Sequence, residues 1–188
     1  MRKLAILEFI TLDGVMQAPK MPEEDRSGGF ESGGWADPYW DQVMALVGKE
    51  AMAEPYDVLF GRNTYDMFAA HAGDTHPMNG FTKYVATSRP DSLSWMNSKA
   101  VTGDIPAQVA QLKEEDGPLL QVHGSCALVQ ALLAHDLVDE LRLWTFPVVA
   151  GGGKRLFGGG AVPARFSLIK SDRTDNGVVM GLYKREAS

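Results

Sequence analysis

The sequence has one cysteine, Cys126, so it cannot form an internal disulfide bond. A chain without disulfides suits a reducing compartment, and we expect a cytoplasmic protein. Cys126 begins an apolar stretch, where a free cysteine is more often a small buried side chain than a catalytic thiol. The sequence also lacks an apolar run of membrane-spanning length, and its first apolar run turns acidic at Glu8. We therefore expect neither a membrane span nor a secretory leader.

Basic clusters are also missing. The net charge is −6, the sequence pI is about 5.2, and lysine and arginine form nothing denser than pairs such as Lys154-Arg155. Nucleic-acid-binding proteins usually carry a basic face, so this class of function is excluded. An acidic protein that binds an anionic small molecule must instead use a few well-placed cations. The four histidines form no metal-ligand pattern with acids or with the cysteine, so no metal site is predicted.

Strands and helices alternate along most of the chain. With 188 residues, of which 45% are hydrophobic and 22% charged, the sequence suits one domain over residues 1–188. Two strands near the end flank Asp175-Asn176-Gly177, a strong hairpin signal. This order predicts an α/β protein, a three-layer α/β/α domain with a central mixed, mostly parallel sheet. We expect a long strand over 137–149 and a helix from Thr64 to about Ala70.

The most informative motif is Gly61-Arg62-Asn63-Thr64-Tyr65, which follows an apolar strand ending at Phe60. Glycine lets the backbone approach a ligand closely, and the arginine guanidinium offers a planar set of donors that fits a phosphate. Thr64 can cap the helix that follows, whose first N–H groups also attract anions. The motif predicts a phosphate site at a strand-to-helix junction, and a simple turn with a solvated arginine is the alternative.

Two further junctions and a glycine run strengthen this prediction. Thr87-Ser88-Arg89 and Gly124-Ser125 each follow a predicted strand, and Gly151-Gly152-Gly153 lies at the end of another. Because ligands of open parallel sheets bind beyond the carboxyl ends of the strands, these segments should meet at one edge. Small residues, hydroxyl groups and two arginines there predict a distributed anion site that suits a dinucleotide. Neither the G-x-G-x-x-G fingerprint nor a P-loop is present in the glycine run.

A polar loop over 17–34, rich in glycine and proline, is too long for a plain connector. It is either a mobile functional loop or a partly disordered one. Trp35 and Trp40 follow it and suggest a stacking surface, but the same residues could pack at the edge of the core. The sequence leaves these two roles open.

Together these motifs resemble the dihydrofolate-reductase-like superfamily, and within it the reductase domain of riboflavin biosynthesis and its stand-alone relatives. The resemblance covers about residues 3–185 and rests on the order and spacing of short motifs. These are Leu12-Asp13-Gly14, Gly61 to Tyr65, Thr87-Ser88-Arg89-Pro90, His123-Gly124-Ser125, Val138-Asp139-Glu140-Leu141, and Pro147 to Gly153 with Leu156-Phe157.

The resemblance implies an NADPH-dependent reductase. It assigns the adenosine side and the 2′-phosphate of NADPH to Gly61, Arg62, Asn63 and Thr64, assisted by Ser88 and Arg89. It assigns the pyrophosphate to Gly124 and Ser125, the nicotinamide to Gly151 and Gly152, and the border of the reaction centre to Asp13, Gly14 and Val15. The loop over 17–34 would act as a lid, Trp35 and Trp40 would stack on a planar substrate, and Lys154 with Arg155 would hold a phosphoribosyl group.

The sequence departs from true folate reductases in one respect. Those enzymes use a carboxylate on the first helix to protonate and anchor the pterin, and the matching region here, near Met44-Ala45, has no acid. Folate reduction is therefore not expected. Asp41, one helical turn earlier, and Asp13 are the candidates for a proton donor. Each also has a structural interpretation, since Asp41 can interact with the helix dipole and Asp13 can form a turn.

We expect hydride transfer from NADPH to a planar heterocycle or a ribosylamino-pyrimidine, resembling the reaction of 5-amino-6-(5-phosphoribosylamino)uracil reductase in riboflavin biosynthesis. The alternative is a non-catalytic nucleotide- or flavin-binding module on the same fold, which the missing helix carboxylate and the aromatic residues favour. A purely structural homodimer is a third, remote possibility. A homodimer is expected in all three cases, because long apolar strands such as 141–149 can pair across an interface.

Overall fold

The computed structural model describes residues 1–186, which form an eight-stranded sheet flanked by α-helices. The strands are β1 (Leu4–Thr11), β2 (Tyr56–Gly61), β3 (Lys83–Ala86), β4 (Ser98–Val101), β5 (Leu119–Val122), β6 (Glu140–Phe146), β7 (Phe166–Arg173) and β8 (Val179–Arg185). The helices are α1 (Trp40–Ala51), α2 (Arg62–His71), α3 (Ile105–Glu114) and α4 (Cys126–Ala134). Within residues 1–186, none of the helices is both long and apolar enough to cross a bilayer.

The sheet is mixed and mostly parallel. Its order is β4-β3-β2-β5-β1-β6-β8-β7, in which the first six strands are parallel and β8 runs antiparallel to both of its neighbours. The chain winds outward from β1 to β2, β3 and β4, then returns to β5 and continues past β1 to β6. The winding therefore reverses between β5 and β1, which is the position where open α/β sheets bind ligands.

The core forms because β1 is apolar on both faces. Leu4, Ile6 and Ile10 pack with side chains of α3 and α4, whereas Leu7 on the opposite face packs with α1. Successive strand residues point to opposite faces, and a central parallel strand must bury both. The helices thus cover the two faces of the sheet, and the predicted α/β class is confirmed.

Two predicted boundaries need correction. Helix α2 begins at Arg62 rather than at Thr64, and Gly61 occupies the N-cap position. Thr64 therefore lies within the first turn and does not cap the helix. The strand expected over 137–149 is shorter, because β6 ends at Phe146 and the next residue, Pro147, has no N–H to continue the ladder.

Gly61 is where the turns after β2 and β5 make their closest contact. Its N–H donates a hydrogen bond of 2.9 Å to the carbonyl oxygen of Gly124. Its backbone conformation is ordinary, with φ of −74°, so the requirement for glycine comes from space. A Cβ atom at this position would lie 2.9 Å from both the backbone nitrogen and the Cβ of Ser125. Gly61 is expected to let the backbone approach a ligand. The structure shows that it also leaves room for the turn at Gly124-Ser125.

We expect Gly61→Ala to lower the free energy of unfolding by about 1–3 kcal/mol, because the methyl group overpacks the contact with Ser125. Gly48→Ala is the matched control, since Gly48 lies inside α1 with open space around it. Alanine there should stabilise the helix by about 0.5–1 kcal/mol. Urea unfolding followed by tryptophan fluorescence measures both changes. An unchanged free energy of unfolding in Gly61→Ala would show that the turn at Gly124-Ser125 can move to make room for the methyl group.

Candidate functional site

A crevice opens between β1 and β5 at the carboxyl edge of the sheet. The two strands are paired only as far as Ile6 and Val122, whereas β1 stays paired with β6 as far as Thr11. Beyond Val122 the chain turns away through Gly124 into α4. On the side of β5, the second half of β1 therefore has no paired strand, at the position where the winding reverses.

Arg62 joins the ends of β2 and β3. Its Nε donates to both carboxylate oxygens of Asp66, at 2.8 and 2.9 Å. Its Nη1 donates to the hydroxyl of Ser92 at 2.8 Å, the carbonyl of Arg89 at 3.1 Å and the hydroxyl of Thr87 at 3.3 Å. The two predicted junctions thus lie together. The Arg62 side chain is only 15% exposed, whereas that of Arg89 is 65% exposed and faces solvent.

The other residues predicted at these junctions surround Arg62. Asn63 lies exposed in the first turn of α2, and Ser88 lies exposed after β3. The hydroxyl of Thr64 points toward the next turn, where a Cβ on Gly124 would lie 3.1 Å from it. The polar groups predicted to hold a cofactor therefore lie at the ends of β2, β3 and β5.

The N-termini of α2 and α4 meet at this edge. Gly61 precedes α2 and Ser125 precedes α4, and the Ser125 hydroxyl makes no capping hydrogen bond. The two starts are joined by the hydrogen bond from Gly61 to Gly124. Each helix thus presents first-turn N–H groups that its N-cap side chain does not satisfy, and such groups attract anions.

Asp13 connects the end of β1 to the loop after β6. Its carboxylate accepts hydrogen bonds from the Thr11 hydroxyl at 2.6 Å and from the N–H groups of Ala150 at 3.1 Å and Gly151 at 3.0 Å. Arg155 donates to the Asp13 carbonyl at 2.6 Å. These hydrogen bonds, led by that from Thr11, lower the pKa of Asp13 to about 2. An acid that stays ionised suits a clamp between two loops better than a proton donor.

Glycines shape the wall of the crevice on the β6 side. Gly14 adopts φ of 80° in the turn after β1, and Val15 is buried and bridges to Arg155. Gly153 adopts φ of 111° and lies against Phe30, whose ring would be 2.8 Å from an added Cβ. Gly152 has open space around it. The predicted nicotinamide segment therefore presents bare backbone, as close approach of a flat ring requires.

Gln17 holds the loop over 17–34 in place. Its Nε2 donates to the carbonyl oxygens of Asp25 and Ser27, each at 3.0 Å, and its Oε1 accepts from the N–H of Lys154 at 2.9 Å. The Lys154 ammonium also pairs with the Asp25 carboxylate at 2.6 Å. The loop is therefore ordered and attached to the glycine segment. A groove of about 510 Å³ lies between them, lined by Gln17, Ser27 to Ser32, and Gly152 to Lys154.

The two predicted stacking residues differ in their surroundings. Trp35 is buried, donates from its indole nitrogen to the Gln17 carbonyl at 2.9 Å, and meets Phe146 edge-on at 5.1 Å. It packs beneath the loop, which is one of the two roles the sequence left open. Trp40 is partly exposed, meets Phe9 edge-on at 5.5 Å and carries the Lys20 ammonium 4.7 Å from its ring centre. Asp41 lies exposed in the first turn of α1.

Glu8 is an acid at the crevice that the sequence analysis did not select. It is only 9% exposed, and its Oε1 atom has no hydrogen-bond partner within residues 1–186. Burial raises the pKa of Glu8 well above its usual value, and the nearby Glu24 raises it further. A signal was present in the sequence, because Glu8 interrupts the inward-facing apolar positions Ile6 and Ile10 of β1.

His123 directly follows β5. Its ring lies 6.1 Å from that of Tyr56 in a stacked arrangement, and its Nε2 is 2.9 Å from the Gln121 amide nitrogen. Burial and the charge of Arg142 lower the pKa of His123 to about 4. The imidazole is therefore neutral near pH 7 and adds no positive charge to the anion site.

The sequence model of the RibD C-terminal domain family matches residues 2–180. The protein belongs to the RibD C-terminal domain family. Two Bacillus subtilis (strain 168) proteins, both uncharacterized, are similar to it. YwjB is 32% identical over 100 residues, which cover 53% of this chain and 57% of YwjB, so the match spans little more than half of that relative. YyaP is 25% identical over 136 residues, which cover 67% of this chain and 72% of YyaP.

Solved structures show which fold this RibD C-terminal domain has. A protein from Shewanella sp. PV-4, assigned provisionally to riboflavin biosynthesis, superimposes with a TM-score of 0.64 at 22% identity over the whole of both chains. Dihydrofolate reductase from Enterococcus faecalis, in complex with NADP(H) and RAB-propyl, superimposes with a TM-score of 0.65 at 15% identity over 98% of this chain and 97% of its own. The predicted dihydrofolate-reductase-like fold is confirmed.

We expect Asp13→Asn to destabilise this RibD C-terminal domain at neutral pH but not in strong acid. Because the folded-state pKa lies near 2, below the ordinary value of 3.8, the carboxylate stabilises the fold above about pH 4. That contribution is lost as the pH falls toward 2. The difference is measured by comparing the thermal unfolding midpoints of the wild type and Asp13→Asn from neutral pH down to about pH 2. Asp74→Asn is the control, since Asp74 is exposed. A deficit that does not change with pH would contradict the clamp.

Proposed function

We propose that this protein is an NADPH-dependent reductase that transfers a hydride to a planar heterocycle, with ribosylamino-pyrimidines as the favoured substrate class. The observation that carries the proposal is the meeting of two helix N-termini beside a crevice at the point where the winding reverses. Anions bind helix N-termini, and dinucleotides bind at such reversal points. Family membership supports a reductase, and the neighbouring dihydrofolate reductase carries NADP(H) on the same fold.

The residues present fit this cofactor. The first-turn N–H groups of α2 and α4 would hold the pyrophosphate, and Arg62 and Arg89 with Ser88 would hold the 2′-phosphate. The backbone at Gly151-Gly152 would lie along the nicotinamide. When bound, the reduced nicotinamide supplies the hydride. The chain orients the two reactants, and the loop over 17–34 excludes water by closing on the glycine segment.

On the substrate side, the partly exposed ring of Trp40 is the candidate for stacking on a heterocycle. Lys154, whose side chain is 43% exposed and whose ammonium is paired with Asp25, is the candidate for binding an anionic group of the substrate. The one acid in the first turn of α1, Asp41, is exposed rather than enclosed. This arrangement supports a substrate other than folate. The single cysteine supports a cytoplasmic location.

A second candidate is a non-catalytic nucleotide- or flavin-binding module. The observation in its favour is that Arg62 already donates to Asp66, Ser92 and the Arg89 carbonyl within the protein. An arginine used in this way can hold two turns together without contacting a ligand. Tight ligand binding without NADPH oxidation, across pteridine and aminouracil substrates, would favour this candidate.

We expect NADPH to bind at micromolar concentration and NADH much more weakly, measured by quenching of tryptophan fluorescence. Arg62→Ala should weaken NADPH binding by about 10- to 100-fold, because a charge-assisted hydrogen bond contributes about 1.5–3 kcal/mol. NADH lacks the 2′-phosphate, so its affinity should fall much less in the same variant. Arg165→Ala is the control, since Arg165 is exposed and precedes β7 at the other end of β6.

The ratio of the two affinities separates the outcomes. Equal weakening of NADPH and NADH by Arg62→Ala would mean that Arg62 acts only by holding the turns. The same titration with Arg89→Ala would then test whether the exposed arginine makes the phosphate contact. Failure of both nucleotides to bind the wild type would refute the reductase proposal.

We also propose that the protein is a homodimer joined at the β7 edge of the sheet. Leu168 and Ile169 on this edge strand are 54% and 58% exposed, and Val179 on β8 is 50% exposed. A nearby depression of about 260 Å³ is lined in part by Phe157 and Val162. An open edge strand with apolar side chains favours pairing with another chain.

Sedimentation equilibrium should show a dimer that Ile169→Lys converts to a monomer, because the buried charge would lack a partner. Met96→Lys is the control, since Met96 is 56% exposed and lies two residues before β4 at the opposite edge. Circular dichroism should show that both variants remain folded. A monomeric wild type, or a dimer that resists Ile169→Lys, would contradict this interface.

A further inference from the structure

Glu8 lies in the crevice with a polar group that the protein does not use. Its position on β1 comes after Ile6, the last residue paired with β5, and on the face that packs with α3 and α4. A Cβ atom on Gly124 would lie 3.6 Å from Glu8 Oε1. The carboxyl group is therefore beside the turn that begins α4, and Oε1 has no partner within the described residues.

An unpartnered buried carboxyl beside a helix start is unusual. Buried polar atoms are nearly always hydrogen-bonded, and a buried polar atom without a hydrogen bond costs about 1–3 kcal/mol of stability. The start of α4 also has no side-chain cap from Ser125. The acid therefore lies next to the start of α4, and its Oε1 atom accepts no hydrogen bond from the helix. A ligand bound there would contact both.

The charged surroundings of Glu8 disfavour its ionised form. Glu24 and Asp25 lie on the loop over 17–34, Cys126 opens α4, and Lys154 comes from the segment after β6. Lys154, the cation among these groups, is already paired with Asp25 at 2.6 Å. A carboxylate at Glu8 would therefore have little water, Glu24 as an acidic neighbour, and no free cation among the groups just named.

We propose that Glu8 is a neutral carboxylic acid that donates a hydrogen bond to an oxygen atom of the dinucleotide bound at the start of α4. The inference rests on the proposed reductase function and extends it, because it makes cofactor binding depend on a proton. An ionised Glu8 would repel the phosphates, whereas the neutral acid can donate to them. The protonated protein is thus the form that binds.

The dependence on pH follows directly. At pH values below the pKa of Glu8 in the free protein, the acid is protonated. Its contribution to the affinity for NADPH is then the same at every pH. Above that pKa the binding-competent fraction falls, and the dissociation constant should rise by up to about tenfold per pH unit. The 2′-phosphate itself titrates near pH 6 in every variant, so proteins are compared with one another at each pH.

The test measures NADPH dissociation constants between about pH 5 and pH 9 for the wild type and Glu8→Gln. Glutamine keeps the shape and a donor but cannot ionise, so its affinity should match the wild type at low pH and exceed it at high pH. Glu24→Gln is the matched control. It removes a charge that raises the pKa of Glu8, so the loss of affinity should begin at a lower pH but still occur.

Two outcomes would overturn the role of Glu8. One is an identical pH dependence in the wild type and Glu8→Gln. The other is a loss of NADPH binding in Glu8→Gln at every pH, since an amide donor should replace a neutral acid. If the wild type binds no NADPH at any pH, the reductase proposal fails together with this one. Binding with superimposable pH curves refutes only the inference about Glu8.

Two further measurements keep the test independent of any single variant. Calorimetry of NADPH binding in buffers of different ionisation enthalpy should show uptake of up to one proton by the wild type at high pH and less by Glu8→Gln. Thermal unfolding without ligand should show that Glu8→Gln is folded. Because the folded state disfavours the charge, this variant should be more stable than the wild type at high pH and equal to it near pH 4.

Discussion

The divergence of β5 from β1 is the constraint on which the rest of the site depends. β1 keeps its pairing with β6 to Thr11, while β5 leaves the sheet after Val122. The contact of Gly61 with the Gly124–Ser125 turn makes this exit possible, because no side chain fits between the two segments. As a result, two helix N-termini lie together at the edge where β1 ends, and Asp13 joins the end of β1 to the glycine segment after β6.

The two acids of β1 and its following turn show how local surroundings decide chemistry. Asp13 is surrounded by donors and stays ionised, so it can join two loops. Glu8 is buried and lies near Glu24, so its neutral form is favoured. Asp13 and Glu8 belong to the same chemical class and lie five positions apart, but their surroundings favour opposite charge states. Asp13 joins the end of β1 to the loop after β6, whereas Glu8 is buried beside the start of α4.

The loop over 17–34 is attached to the glycine segment after β6 through contacts of unequal strength. Gln17 is buried and makes three hydrogen bonds that a folded loop must keep. The Lys154–Asp25 pair is partly exposed, and such pairs contribute little to stability. Phe30 packs against Gly153 with no room for a side chain. The buried hydrogen bonds of Gln17 and the packing of Phe30 therefore hold the loop more firmly than the partly exposed ion pair does.

Local sequence patterns were sufficient to predict the α/β class, most of the helices and strands, and the edge of the sheet at which the polar junctions meet. These follow from local periodicity and from glycine, proline and capping residues, which act over a few positions. Only the tertiary structure decided that Arg62 is bonded to neighbouring turns, that Asp13 is a clamp, that Trp35 packs beneath the loop, and that Glu8 is buried without a partner. Those properties depend on distances and desolvation between segments far apart in the chain, which no local pattern encodes.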